Sequence, residues 1–205
     1  MDLTDWLARC PLIAILRGVR PEEAEAVTEA LAAQGIAIVE VPLNSPDPLA
    51  SIARLAARFG GRMLVGAGTV MTPAEVAAVA AAGGRLIVTP HAAEPVVRAA
   101  KQHGLIACPG FATPTEAFAM LAAGADAIKL FPAEAASPAV LRAMRAVLPA
   151  GTKVLPVGGI EPGNMRPWQD AGAAGFGIGS AIYRPGDTPA RVAEKAAALL
   201  AGLGG

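Results

Sequence analysis

The chain has 205 residues, and its 17 basic and 17 acidic side chains cancel to a formal charge of zero. That length suits one domain with a well-buried core, and the neutral balance excludes a general field that would draw nucleic acid or an anionic membrane surface. With 54% hydrophobic and 17% charged residues, the chain is too apolar for disorder, yet no apolar run reaches the roughly 18 residues of a spanning helix.

A short helix is expected near 2–9. The opening residues, Met1-Asp2-Leu3-Thr4-Asp5-Trp6, are acidic and lack the basic start of a signal peptide. Cys10 and Cys108 cannot form a disulfide framework, so a cytoplasmic chain with reduced thiols is expected. Apolar, β-rich runs then follow at 11–16, 36–41, 63–65, 86–89, 105–108, 127–131, 154–157 and 175–178. Ala-rich helical patterns lie between them, near 21–34, 47–59, 73–82, 94–103, 113–123, 137–148, 162–171 and 187–202. Prolines at early helical positions, such as Pro73 and Pro114, and glycines just past helix ends, such as Gly35 and Gly124, punctuate the pattern. About eight strand–helix units of roughly 25 residues give the count and order of a (β/α)₈ TIM barrel, one domain over residues 1–205. A doubly wound open sheet is the alternative, since order alone does not show closure.

Lys129 is one of four lysines and sits mid-strand in Asp126-Ala127-Ile128-Lys129-Leu130-Phe131-Pro132. Burial among apolar neighbours lowers an ammonium's pKa and yields the free amine that attacks a ketone to form an iminium. A structural lysine paired with a carboxylate would look the same from this strand alone. Glu40, at the end of Ile36-Ala37-Ile38-Val39-Glu40-Val41, places a carboxylate at the top of another apolar strand, where barrel active sites lie. It can shuttle protons or simply compensate Lys129. Arg17 ends the first strand, where a guanidinium can grip a carboxylate or phosphate. Thr69, in Gly66-Ala67-Gly68-Thr69-Val70, offers a hydroxyl next to glycines that would let a ligand approach the backbone. Val157-Gly158-Gly159-Ile160 and Gly177-Ile178-Gly179-Ser180 follow strands seven and eight. Those are the places where barrels bind phosphate with backbone N–H groups at a helix N-terminus. His91 reads as a loop residue, His103 as a helix end, Trp168 as packing and Cys108 as core. With no cysteine or histidine at metal-ligand spacing, neither a metal nor a cofactor is expected.

Five segments resemble the KDPG/KHG aldolase family, in order and in spacing. They are Ile13-Ala14-Ile15-Leu16-Arg17-Gly18, Val39-Glu40-Val41-Pro42-Leu43-Asn44-Ser45-Pro46, Gly66-Ala67-Gly68-Thr69-Val70, Ile128-Lys129-Leu130-Phe131-Pro132 and Val157-Gly158-Gly159-Ile160. The resemblance implies a Schiff-base lyase that cleaves a phosphorylated 2-keto-3-deoxy sugar acid reversibly to pyruvate and an aldehyde. Lys129 then matches the nucleophile and Glu40 the acid/base. Arg17 and Thr69 match substrate-binding positions, and Gly158, Gly159 and Ser180 the phosphate pocket. It also implies a homotrimer without a metal. Leu43-Asn44-Ser45 stands where glucose-series members usually have Leu-Arg-Thr, and Val157 where they usually have Thr. Both departures match the galactonate branch, and leave Arg17 as the main cation. Competing readings are the same chemistry on the glucose-series epimer or on 4-hydroxy-2-oxoglutarate, a phosphosugar isomerase, and a non-catalytic phosphate-binding protein.

Overall fold

The computed structural model describes residues 1–204. It opens on α1 (Leu3–Arg9), where the Asp2 carboxylate accepts from the Asp5 N–H at 3.0 Å and Asp5 returns the bond at 2.9 Å, a reciprocal cap for two otherwise unpaired donors. Strand and helix then alternate: β1 (Leu12–Ile15), α2 (Pro21–Ala33), β2 (Ile38–Pro42), α3 (Pro48–Phe59), β3 (Leu64–Gly68), α4 (Pro73–Ala81), β4 (Leu86–Val88), α5 (Glu94–Gln102) and β5 (Ile106–Cys108). The second half runs β6 (Gly110–Phe111), α6 (Pro114–Ala122), β7 (Ile128–Leu130), α7 (Pro138–Arg145), β8 (Val154–Pro156), α8 (Met165–Asp170), β9 (Phe176–Ile178) and α9 (Pro189–Leu203).

Every strand pairing is parallel. One sheet has the order β5-β4-β3-β2-β1-β9 and the other β6-β7-β8, and a single bridge from Val157 to Gly177 joins β8 to β9. All four residues of β1 and all five of β2 are buried, as expected where helices cover one sheet face and other strands the opposite one. Each helix turns one stripe inward, for example Ile52, Leu55 and Phe59 on α3, or Val192, Ala196 and Leu199 on α9. Among the described residues no helix is long and apolar enough to cross a membrane.

The expected eight strands are nine segments among the described residues, because Pro109 divides the fifth into β5 and β6. Proline has no N–H to give a ladder, and at this point the chain passes from one sheet to the other. The local backbone is re-satisfied by the Gly110 N–H, which donates to Thr89 Oγ1 at 3.1 Å, and by the Pro109 carbonyl, which accepts from Lys129 N–H at 2.8 Å. What is observed is a parallel α/β fold in a six-stranded and a three-stranded sheet. Two expected helices are shorter than their patterns, since α8 starts only at Met165, after Pro162-Gly163, and α7 ends at Arg145.

Candidate active site

Two buried charged side chains from separate sheets share one interior. Glu40 lies in β2, in register with Ile15 of β1 and Gly66 of β3. Lys129 lies in β7, in register with Gly110 and Leu155. They are 2% and 6% exposed respectively. Lys129's strand is set by Asp126, whose carboxylate accepts from the Ala107 N–H at 2.8 Å and from Lys101 at 2.6 Å. Glu40 and Lys129 both border a space of about 10 Å³, together with Cys108 and Val157. That is the scale of a single water molecule. Among the described residues Lys129 makes no ion pair; its ammonium lies over the Phe131 ring, 4.4 Å from the centroid. One oxygen of Glu40 is buried without a hydrogen-bond partner among the described residues.

This environment moves both titrations toward neutrality. Burial pushes the Glu40 carboxyl up to about 7, against the opposing pull of Lys129, Arg17 and the Gly68 N–H. Burial also lowers the Lys129 ammonium from its ordinary value; Glu40 and Cys108 oppose the shift and Arg17 adds to it. The Cys108 thiol is pushed up to about 12 by burial, so it stays neutral beside the pair. The result is an amine that can lose its proton and an acid that can exchange one, within one water's reach.

From Lys129 the interior opens into a cavity of about 140 Å³ bordered by Arg17, Val157, Gly158, Gly179 and Ser180. No carboxylate among the described residues lines it. Among the described residues the N–H groups of Gly159, Ile160, Ser180 and Ala181 donate to no protein acceptor. Unpaired N–H groups on two loops flanked by a guanidinium make a place for an anion. Arg17 is held there by Asn44, whose Oδ1 accepts from Nη1 at 2.7 Å, and Ser45 Oγ accepts from the Gly18 N–H at 2.9 Å.

The structure thus brings Lys129, Arg17, Gly158 and Ser180 around one cavity, with Glu40 behind Lys129. Thr69 and Gly159 border neither space. Thr69 is half-buried and holds a left-handed φ of +55°, unusual for a β-branched residue. The sequence-based account of several glycines needs correction. A Cβ on Gly68 would fall 2.1 Å from a Glu40 oxygen, and one on Gly66 would fall 2.2 Å from the Leu86 carbonyl. A Cβ on Gly158 would fall 2.0 Å from a Glu134 oxygen. On the side a Cβ would take, those glycines make room for protein; at Gly179 a Cβ would meet nothing within 4 Å. The expected helix N-terminus after β9 is instead one turn at 179–183, and α9 begins only at Pro189. Cys108, read as plain core, also borders the inner space. Phe131 and Glu134 were not singled out from the sequence, and Asn44 entered only as a departure from the glucose-series pattern, without its contact to Arg17, which joins segments far apart in the chain.

A pocket of this kind, at the carboxyl ends of parallel strands and joining a buried amine to an anion-binding rim, is an enzyme site. A family model described as KDPG and KHG aldolase matches residues 3–188. The 2-dehydro-3-deoxy-6-phosphogalactonate aldolase of Escherichia coli (strain K12) is 47% identical over 195 residues, covering 95% of each chain. A solved structure titled "Native KDPGal structure" superposes with a TM-score of 0.94 at 47% identity, over 95% of each chain. A KDPG aldolase from Legionella pneumophila, solved with pyruvate captured at low pH as a covalent carbinolamine intermediate, superposes with a TM-score of 0.84 at 29% identity, over 98% of each chain. The chain belongs to the KDPG and KHG aldolase family.

Proposed function

We propose that this chain is a Schiff-base lyase that cleaves 2-dehydro-3-deoxy-6-phosphogalactonate reversibly to pyruvate and D-glyceraldehyde 3-phosphate. The observation that carries the reading is the buried, ion-pair-free Lys129 sharing a water-sized space with Glu40 and opening toward an N–H-rich rim. The free amine of Lys129 attacks the C2 ketone, and the carbinolamine loses water to give an iminium. That cation accepts the electron pair of the C3–C4 bond as it breaks. Glu40, directly or through one water, takes the C4 hydroxyl proton; the aldehyde departs and leaves an enamine. The same acid returns a proton to C3, and water hydrolyses the iminium to release pyruvate and the amine. Contacts to the remote phosphate position the reacting carbons. A relative captured as a covalent carbinolamine supports the first step.

Support for the galactonate epimer comes from Val157, which borders both spaces beside Lys129. Its side chain offers no hydroxyl to the substrate where glucose-series members usually have Thr. Arg17 and the Gly158, Gly159 and Ser180 loops take the phosphate, and Thr69 is a substrate-binding residue. The proposal includes one domain whose nine segments close as eight strand positions, β5 and β6 counting as one, through the Val157–Gly177 bridge. It includes a cytoplasmic homotrimer as well, with no metal or cofactor. Borohydride reduction in the presence of pyruvate tests it. A stable mass on Lys129 is expected, together with faster pyruvate release from the galactonate than from the gluconate epimer. Labelling elsewhere, or none, removes the covalent role.

A further inference from the structure

The catalytic cavity does not end at Ser180. It widens into an outer space of about 380 Å³, and Arg17, Gly179 and Ser180 border both. The outer wall adds Arg184, on the loop that follows β9. Its Nε donates to the Ser180 carbonyl at 3.3 Å, which folds the side chain back along the rim that also carries the free Ser180 and Ala181 N–H groups. The loop is tethered at its base. The Arg184 N–H donates to the Asp187 carboxylate at 2.8 Å, and Asp187 is paired in turn with Lys195 of α9. Among the described residues no carboxylate pairs with either Arg17 or Arg184.

Charge balance gives this second guanidinium a task. A phosphate monoester carries about −1.5 to −2 at pH 7, and the proposed substrate adds a carboxylate. Lys129 must be neutral when it attacks, and one N–H of Arg17 is already taken by Asn44. A single cation leaves the anion under-compensated, and a second placed on the open side of the same rim completes it. We infer that Arg184 is a phosphate-binding residue of this enzyme, bordering the outer space together with Arg17 so that two guanidiniums and the loop N–H groups take up the phosphoryl group. This assignment rests on the aldolase reading given above.

The test compares Arg184→Gln and Arg184→Lys with the wild type in a pyruvate-release assay, using inorganic phosphate as a competitive inhibitor. For Arg184→Gln, the KM and the phosphate inhibition constant should each rise on the order of tenfold, the lower end for losing a charge-assisted hydrogen bond. The preference for the phosphorylated substrate over its unphosphorylated counterpart should fall by a similar factor, with partial recovery in Arg184→Lys. Wild-type constants in Arg184→Gln would overturn the assignment. So would an equal loss on both substrates, which would make Arg184 a brace for the Ser180 loop. If the wild type cleaves no 2-keto acid, the aldolase reading itself fails. Calorimetric titration of inorganic phosphate into wild type and Arg184→Gln then decides Arg184 alone, with weaker binding by the variant expected and equal binding refuting it.

Discussion

Gly68 shows how tightly the acid is housed. Its missing side chain leaves room for both oxygens of Glu40, which would lie 2.1 Å and 2.3 Å from an added Cβ. Gly68→Ala leaves the backbone unstrained, as Gly68 has no positive φ, so the carboxylate has to move. Turnover should drop on the order of a hundredfold, the typical effect of an ångström-scale misplacement, with the circular dichroism spectrum and KM little changed. Glu40→Gln removes the proton acceptor itself and should lower kcat by about 10²–10⁴-fold, the range for a positioned acid/base. The pH profile separates the two. Retro-aldol cleavage needs Glu40 as carboxylate, and its carboxyl is pushed up to about 7, so wild-type kcat/KM should climb as pH rises through that value. In Glu40→Gln that limb should vanish; a climb that persists would transfer it to another group.

Between strands, the loops after β1 and β2 are stitched by Arg17 to Asn44 and by Gly18 to Ser45. Asn44→Ala frees Arg17 to swing into solvent and should raise KM for the phosphorylated substrate several-fold, about the worth of one hydrogen bond to a charged group, with kcat less affected. An unchanged KM would show that Arg17 keeps its place without Asn44. At this scale much was legible in advance. The alternation of β-rich runs with Ala-rich, Pro-started and Gly-ended segments is a local signal, and it located eight α-helices, α2 to α9. A lysine and a glutamate inside apolar strands are anomalies visible in one dimension. The stitches were not legible, since Arg17 and Asn44 are 27 residues apart and meet only once β1 and β2 are in register. Nor was the role of Gly158, which gives space to Glu134 from a different loop. Pro109 was visible, but whether a proline ends a strand or merely divides it depends on the neighbouring strands that take up the unpaired groups.

The whole molecule carries the cost of its site as a pH-dependent stability. An unfolded glutamate titrates near 4.5, whereas Glu40 in the fold titrates near 7. Between these values the folded state holds a proton that the unfolded state has released, so stability falls as pH rises through the window. The difference of about two and a half pH units corresponds to roughly 3 kcal/mol, a sizeable part of the ~5–15 kcal/mol that holds an ordinary domain together. Glu40→Gln lacks this titration. Urea unfolding at intervals from pH 4 to 7.5 should therefore show the variant gaining on the wild type across the window, with the gap changing by about 3 kcal/mol and flattening at either end. Parallel curves would mean that Glu40 ionises like an exposed carboxylate. The rise of kcat/KM near pH 7 would then need another source, and the buried acid would lose its place beside the amine as a proton carrier.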